Sequence, residues 1–231
     1  MSAGVGPALA GSSFTSVSSV IELYTSQGCA FCPPADALLA ALSRRPEIAA
    51  VSLPVDYWDY IGWKDTFAQP GFAARQRAYA GVLGERHAYT PQAIVNGLVG
   101  VVGSDRKEIE QAASATRGRD GAMTVGSLRA AAADGFVVVD VGEGAGPADV
   151  VLVKVLRSAA VQIGRGENAG RRIVYTNVVR QISNLGGWSG APASFRAPDT
   201  RGDGEGYVVL LQKGSFGRPG AILGAVKSAG F

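Results

Sequence analysis

Val20-Ile21-Glu22-Leu23-Tyr24-Thr25-Ser26-Gln27-Gly28-Cys29-Ala30-Phe31-Cys32-Pro33-Pro34-Ala35-Asp36-Ala37-Leu38-Leu39-Ala40-Ala41-Leu42 reads as a strand, a short loop and a helix. Val20 to Tyr24 carries the β-branched and aromatic residues that suit a buried strand. Pro33 and Pro34 suit a first helical turn, where the missing N–H costs nothing. Ala35, Leu38, Leu39 and Leu42 recur at i, i+3, i+4 and i+7 and give the helix one apolar face. The two cysteines of the chain stand at the junction. A Cys-x-x-Cys pair in that place sets its first sulfur beside unpaired N–H groups and the positive end of a helix dipole, which favours thiolate over thiol. The thiolate attacks disulfides, so Cys29 is read as the attacking thiol and Cys32 as the one that resolves the mixed disulfide.

Working outward, Pro46 closes the helix and Ile48 to Val55 reads as a second buried strand, ending at Asp56. A helix is expected from about Phe72 to Leu83, with Gly84 as its C-cap. Ala93-Ile94-Val95 and Leu98 to Val102 read as strands joined at Asn96-Gly97, the strongest short hairpin signal. Asp105 and Glu108 form a capping pair for a helix over Arg106 to Thr116. The early alternation implies a parallel βαβ unit, and the hairpin adds antiparallel strands. From Gly121 the texture changes to valine-rich stretches between glycine turns. Strands are expected at Met123–Val125, Phe136–Val141, Val150–Leu156, Ala159–Ile163, Arg172–Val179, Tyr207–Leu211 and Ala221–Val226, which together suggest an antiparallel sandwich. The expected organisation is a flexible Gly/Ala/Ser-rich segment over 1–19, an α/β domain over 20–119, and a β domain over 120–231 that packs on it or recognises a partner.

The chain has 231 residues, 47% of them hydrophobic, with mean hydropathy +0.14. That is enough apolar surface for real cores. No apolar run approaches the roughly 20 residues of a spanning helix, so no membrane insertion is expected of this form. A net charge of +3 from 22 basic and 19 acidic residues is too balanced to argue for nucleic acid. No oligomeric state is assigned. The first twenty residues lack a basic n-region and a long apolar h-region, so no complete signal peptide is visible. Both a cytoplasmic protein and a mature form whose leader was removed fit, because a Cys-x-x-Cys pair can cycle in either compartment.

The element order, with Cys-x-x-Cys ending the first strand, resembles the thioredoxin fold. Tyr89-Thr90-Pro91 fits the place of its proline loop. That resemblance implies a cis bond before Pro91 and a Thr90 backbone that offers hydrogen bonds to a bound substrate strand. A narrower resemblance rests on Tyr24 to Asp36, on Val55-Asp56-Tyr57-Trp58-Asp59-Tyr60-Ile61-Gly62-Trp63-Lys64-Asp65 and on Tyr89-Thr90-Pro91-Gln92. Gly164-Arg165-Gly166-Glu167-Asn168 and Asn177-Val178-Val179-Arg180 extend it nearly to the end of the chain. These stretches are similar to a bacterial thioredoxin-like family catalogued as a domain of unknown function, many of whose members carry a secretion signal. The resemblance implies an α/β thioredoxin-like domain followed by an antiparallel β-sandwich-like domain, in a periplasmic or secreted protein.

Other residues are weighed against plainer roles. Glu22 invites comparison with the buried acid that aids proton transfer in thioredoxin. Alignment on the first cysteine puts Leu23 there instead, on the opposite face of the strand, so Glu22 stays a secondary candidate. Asp56, ending the neighbouring strand, is another, with a turn role as the alternative. His87, the only histidine, lies shortly before Pro91 and has no obvious partner. Tyr57 and Trp58 belong to an aromatic cluster that either packs an inserted segment or forms an apolar lip on a substrate groove. A metal site is not expected, since a structural zinc needs about four ligands. Gly164 to Gly170 has the wrong glycine spacing for a phosphate loop and reads as a hairpin loop. Asp199 to Glu205 reads as a solvated turn.

These residues point to a thiol–disulfide oxidoreductase with a protein or small-thiol redox partner and no cofactor beyond its own redox-active disulfide. The alternative is a thioredoxin-fold binding or assembly protein that uses the scaffold without turnover. Carriage of Cu(I) on two thiolates is a third option, weakened by the two methionines and one histidine.

Overall fold

The computed structural model describes residues 12–215 and 217–231. The opening stretch forms β2 (Ser19–Thr25) and α1 (Pro33–Ser43), preceded by β1 (Ser12–Ser16). Then follow β3 (Ile48–Pro54), a 3-10 turn at Asp59–Ile61 and α2 (Pro70–Leu83). β4 (Gln92–Val95), β5 (Val99–Val102) and α3 (Arg106–Thr116) complete the first half. Local signals explain this agreement with the sequence. Gly84 caps α2 in the left-handed region at φ 71°, and the Asp105 carboxylate accepts from the Glu108 N–H at 2.9 Å. Asn96 and Gly97 both take positive φ, which lets the β4–β5 hairpin close in two residues.

The second half contains β6 (Arg129–Ala133), β7 (Phe136–Val141), β8 (Ala148–Gln162), β9 (Arg172–Trp188), β10 (Ala193–Pro198), β11 (Glu205–Ser215) and β12 (Arg218–Ser228). One mixed sheet runs β1-β12-β11-β8-β9-β3-β2-β4-β5. A second, antiparallel sheet runs β10-β7-β6 and meets the first where β1 pairs with both β6 and β12. β2 is parallel to β3 and antiparallel to β4.

Several expectations change in detail. Ser12–Ser16 is a strand instead of part of a flexible segment, because β12 and β6 give its backbone partners; residues 1–11 lie outside the described residues. Met123–Val125 is no strand. Met123 has φ 57° and the stretch only touches β12 through Met123 N–H to Ile222 O and Val125 N–H to Leu223 O, both 2.9 Å. The strands expected at Val150–Leu156 and Ala159–Ile163 are one long β8, since Arg157 and Ser158 sit exposed on a continuous hairpin arm.

The second half does not stand off as a separate sandwich. β11 is buried on both faces. Its Val208 and Leu210 join Val20, Val51, Leu53, Phe72 and Tyr79 in one core. Its Tyr207, Val209 and Leu211 join Val137, Val139, Val150 and Trp188 in a second core, under the antiparallel sheet. A third core, with Ile21, Leu23, Leu38, Leu39, Ile94-neighbouring Ala93 and Ile109, lies between the sheet and the helices α1 and α3. Alternation along β2 therefore sends Leu23 toward α1 and Glu22 toward α2.

Candidate functional site

Three segments converge at one end of the mixed sheet: the loop leaving β2, the loop leaving the parallel β3, and the loop entering β4. The pairing of Tyr24 with Gln92 brings Pro91 beside the end of β2, where the cysteine loop departs. Cys29 and Cys32 form a disulfide with Cα atoms 5.4 Å apart, and the Thr90–Pro91 bond is cis. Both cysteines are completely buried, whereas Phe31 between them is 77% exposed. In the disulfide form neither cysteine therefore meets solvent, although Cys29 is read as the attacking thiol.

The loop that carries the cysteines is held by residues from elsewhere in the chain. Gln27 is held by the aromatic loop: its N–H donates to Asp65 Oδ2 at 2.7 Å, and its Oε1 accepts from Trp63 Nε1 at 2.8 Å. Gly28 lies so close to that loop that a Cβ would stand 3.1 Å from Trp58 Cβ and 3.2 Å from Ile61 Cδ1. Trp58 in turn donates from Nε1 to Thr90 Oγ1 at 2.7 Å, so one indole ties the cysteine loop to the cis-proline loop. Tyr57 donates to Gln76 Oε1 at 3.1 Å, and Gln76 Nε2 donates to Tyr89 O at 2.7 Å. Tyr57 and Trp58 also pack on the core, so packing and site-building fall to the same rings.

The β8–β9 hairpin supplies the other wall. Asn168, almost fully buried, donates from Nδ2 to both Gln27 O (2.9 Å) and Cys29 O (2.8 Å). Arg171 holds its Oδ1 at 3.0 Å, and Glu167 Oε2 accepts from the Ala30 N–H at 3.3 Å. Further down the same arm, Tyr175 stands edge-on to Phe67 with ring centroids 6.1 Å apart.

Behind the disulfide, Asp36 lies one helical turn after Cys32 on the same face of α1, and Cβ bonds in a helix tilt toward its N-terminus, toward Cys32. Asp36 is buried and accepts from Thr25 Oγ1 at 2.9 Å; among the described residues its second oxygen has no hydrogen-bond partner, nor has the Tyr175 hydroxyl. Burial pushes the Asp36 carboxyl up to about 8; the Thr25 hydroxyl opposes this and the Asp65 charge adds to it. Burial likewise raises Asp65, against three backbone N–H donors, and raises the Tyr175 phenol, helped by the charges of Asp36 and Asp65.

Glu22, Asp56 and His87 take other places. Glu22 forms a buried ion pair with Arg75 at 2.7 Å and accepts from the Tyr79 hydroxyl at 2.6 Å. Asp56 is half-buried in the turn after β3 and accepts from the Asp59 N–H through its backbone carbonyl. His87 is exposed. Sequence reasoning missed Asp36, Glu167, Asn168 and Tyr175. Asp36 alone carried a local signal, an acid on the buried side of an apolar helix four residues after a cysteine.

The fold and site define a mixed α/β protein with a covered Cys-x-x-Cys disulfide beside a cis-proline. The chain belongs to the family described as "Protein of unknown function (DUF1223)", which matches residues 20–212. It is similar to the crystal structure of protein AGR_C_4864 from Agrobacterium tumefaciens, with 34% identity and TM-score 0.83 over 94% of this chain and 96% of that one. A weaker likeness, of fold alone, links it to HBP35 of Porphyromonas gingivalis: 13% identity and TM-score 0.53 over 91% of this chain and 74% of that one. No curated protein matches it.

Proposed function

We propose that the chain is a thioredoxin-like thiol–disulfide oxidoreductase. The observation that carries this reading is the Cys29–Cys32 disulfide at the start of α1, set against the cis Thr90–Pro91 loop through Trp58, with a buried carboxyl behind it. In the reduced protein Cys29 thiolate attacks a substrate disulfide and one substrate thiolate leaves. Cys32 then attacks Cys29 Sγ, the intramolecular disulfide forms and the second substrate thiol departs. Asp36, four residues after Cys32, takes the proton that Cys32 loses in that step only in its ionised form, so its raised carboxyl makes this step faster as pH rises toward about 8. Both sulfurs are buried in the disulfide form, so substrate reaches Cys29 only after the segments around the cysteine loop rearrange. The partner is a protein or small thiol, and the narrower family resemblance favours a periplasmic or secreted location.

Turnover of a protein disulfide such as that of insulin by the reduced protein tests this. Activity should vanish in Cys29→Ser, and Cys32→Ser should accumulate a mixed disulfide at Cys29. Equal rates in wild type and both variants would overturn it. The second reading, a binding protein on the same scaffold, is favoured by the exposed Phe31 and by Tyr60, 81% exposed and stacked on Trp58. It expects partner capture to survive both serine variants.

A further inference from the structure

The structure assigns a direction to this chemistry: Glu167, held at the tip of the β8–β9 hairpin by Asn168, is a positioning residue that biases the Cys29–Cys32 pair toward its disulfide, so that the reduced form is an electron donor. This deepens the oxidoreductase reading and rests on it.

Two features set the bias. A thiolate at the start of a helix is stabilised by the free N–H groups of the first turn. Here Pro33 and Pro34 open α1 and carry none, so two of those donors are missing. The loop N–H of Ala30, between the two cysteines, is one that remains. Glu167 Oε2 takes it at 3.3 Å, and brings a negative charge to the place where thiolate charge would develop. The Glu167 side chain is exposed, but the hairpin tip that carries it is pinned at the next residue: Asn168 is anchored to the carbonyls of Gln27 and Cys29 and is itself braced by Arg171. The disulfide is neutral and feels little of this charge. The reduced pair, once ionised at Cys29, is repelled by it and has lost a donor. The equilibrium therefore shifts toward the disulfide.

The balanced exchange is the disulfide plus two glutathione thiols giving the dithiol and one glutathione disulfide. Two electrons pass to the cysteine sulfurs, and the two thiol protons follow.

The test poises the full-length protein against a glutathione series at pH 7 and low salt, in wild type and Glu167→Gln. The amide keeps an acceptor for Ala30 N–H and removes only the charge. The equilibrium constant for reduction should rise about three- to tenfold, equivalent to about 15–30 mV. The Cys29 thiolate, followed by its ultraviolet absorbance in the reduced Cys32→Ser background, should form at lower pH in the Glu167→Gln variant. Raising the ionic strength should shift the wild type the same way and leave Glu167→Gln nearly unmoved. An unchanged equilibrium constant and thiolate titration, or a shift toward the disulfide, would overturn the assignment. If the shift occurs but the wild type turns over no disulfide substrate, the enzyme reading fails while the electrostatic role of Glu167 holds.

Discussion

Replacing Asp36 with Asn isolates the energetic consequence of a carboxyl buried behind the disulfide. The folded-state carboxyl is pushed up to about 8 by burial, from an ordinary value of 3.8. Between those limits the folded chain holds a proton that the unfolded chain has released. Stability from this group is therefore fully present at acid pH and is lost as pH rises through the window from about 4 to about 8. A difference of about four units corresponds to about 6 kcal/mol over the whole window, of which about 4 kcal/mol has been lost by pH 7. The groups facing it are the Thr25 hydroxyl, the Asp65 carboxyl and the Tyr175 phenol. Asn keeps an acceptor for Thr25 and cannot ionise. Its own buried amide adds a cost, but one that does not vary with pH. The decisive quantity is thus the difference between two curves. Urea unfolding of both oxidised proteins from pH 4 to pH 9 should show the variant gaining on the wild type by up to about 1.4 kcal/mol per pH unit, levelling off near pH 8. Parallel curves would refute the reasoning and mean that Asp36 has an ordinary carboxylate environment.

Two further outcomes follow from packing. Glu22→Gln should destabilise the fold by about 3–5 kcal/mol in denaturant unfolding, because it leaves Arg75, buried and bonded to Tyr79 and Gln212, without its counter-charge. Gly97→Ala should cost at least about 2 kcal/mol by the same assay. Gly97 has φ 71°, and a Cβ there would collide with the Gly220 carbonyl oxygen, where the β4–β5 hairpin meets the β11–β12 strands.

The parts of the fold that were legible in the sequence are those written in local signals. Pro33-Pro34 and Asp105 marked helix starts, Gly84 a helix end, and Asn96-Gly97 a turn, and each needs only its neighbours in sequence. The cysteine pair is legible for the same reason, since a loop of four residues is a local feature; the cis bond before Pro91 is implied by the resemblance to the thioredoxin fold. Most of the second half is legible as strands, but not their place in the mixed sheet and its shared cores. Its valines fill both faces of β11, and no periodicity says which sheet a doubly buried strand will join. The break expected at Arg157 failed because exposed polar residues look alike whether a strand ends or runs on as a hairpin arm. Asn168 and Glu167 were invisible as site residues, because their partners lie roughly 140 residues earlier and only the tertiary fold brings them to Cys29.

These long-range contacts say what the second half contributes. Removed from it, the first half would leave Gln27 O and Cys29 O without the Asn168 amide. The Arg75–Glu22 pair would lose Gln212, which accepts from Arg75 at 2.9 Å and donates to the Tyr79 hydroxyl at 2.7 Å. Two polar centres of the first half are closed by residues of the second: Asn168 at the cysteine loop, Gln212 at the buried ion pair. Asn177 adds a third such contact, donating to Ala50 O on β3. A half-satisfied buried network is costlier than an apolar core, so such residues can be lost only together with their partners. A family match that begins at Val20 and runs on to Gln212 is what this coupling requires, for that span contains both ends of every one of these contacts. The β strands of the second half therefore complete the interior and hold the backbone of the cysteine loop, from the part of the chain in which no cysteine lies.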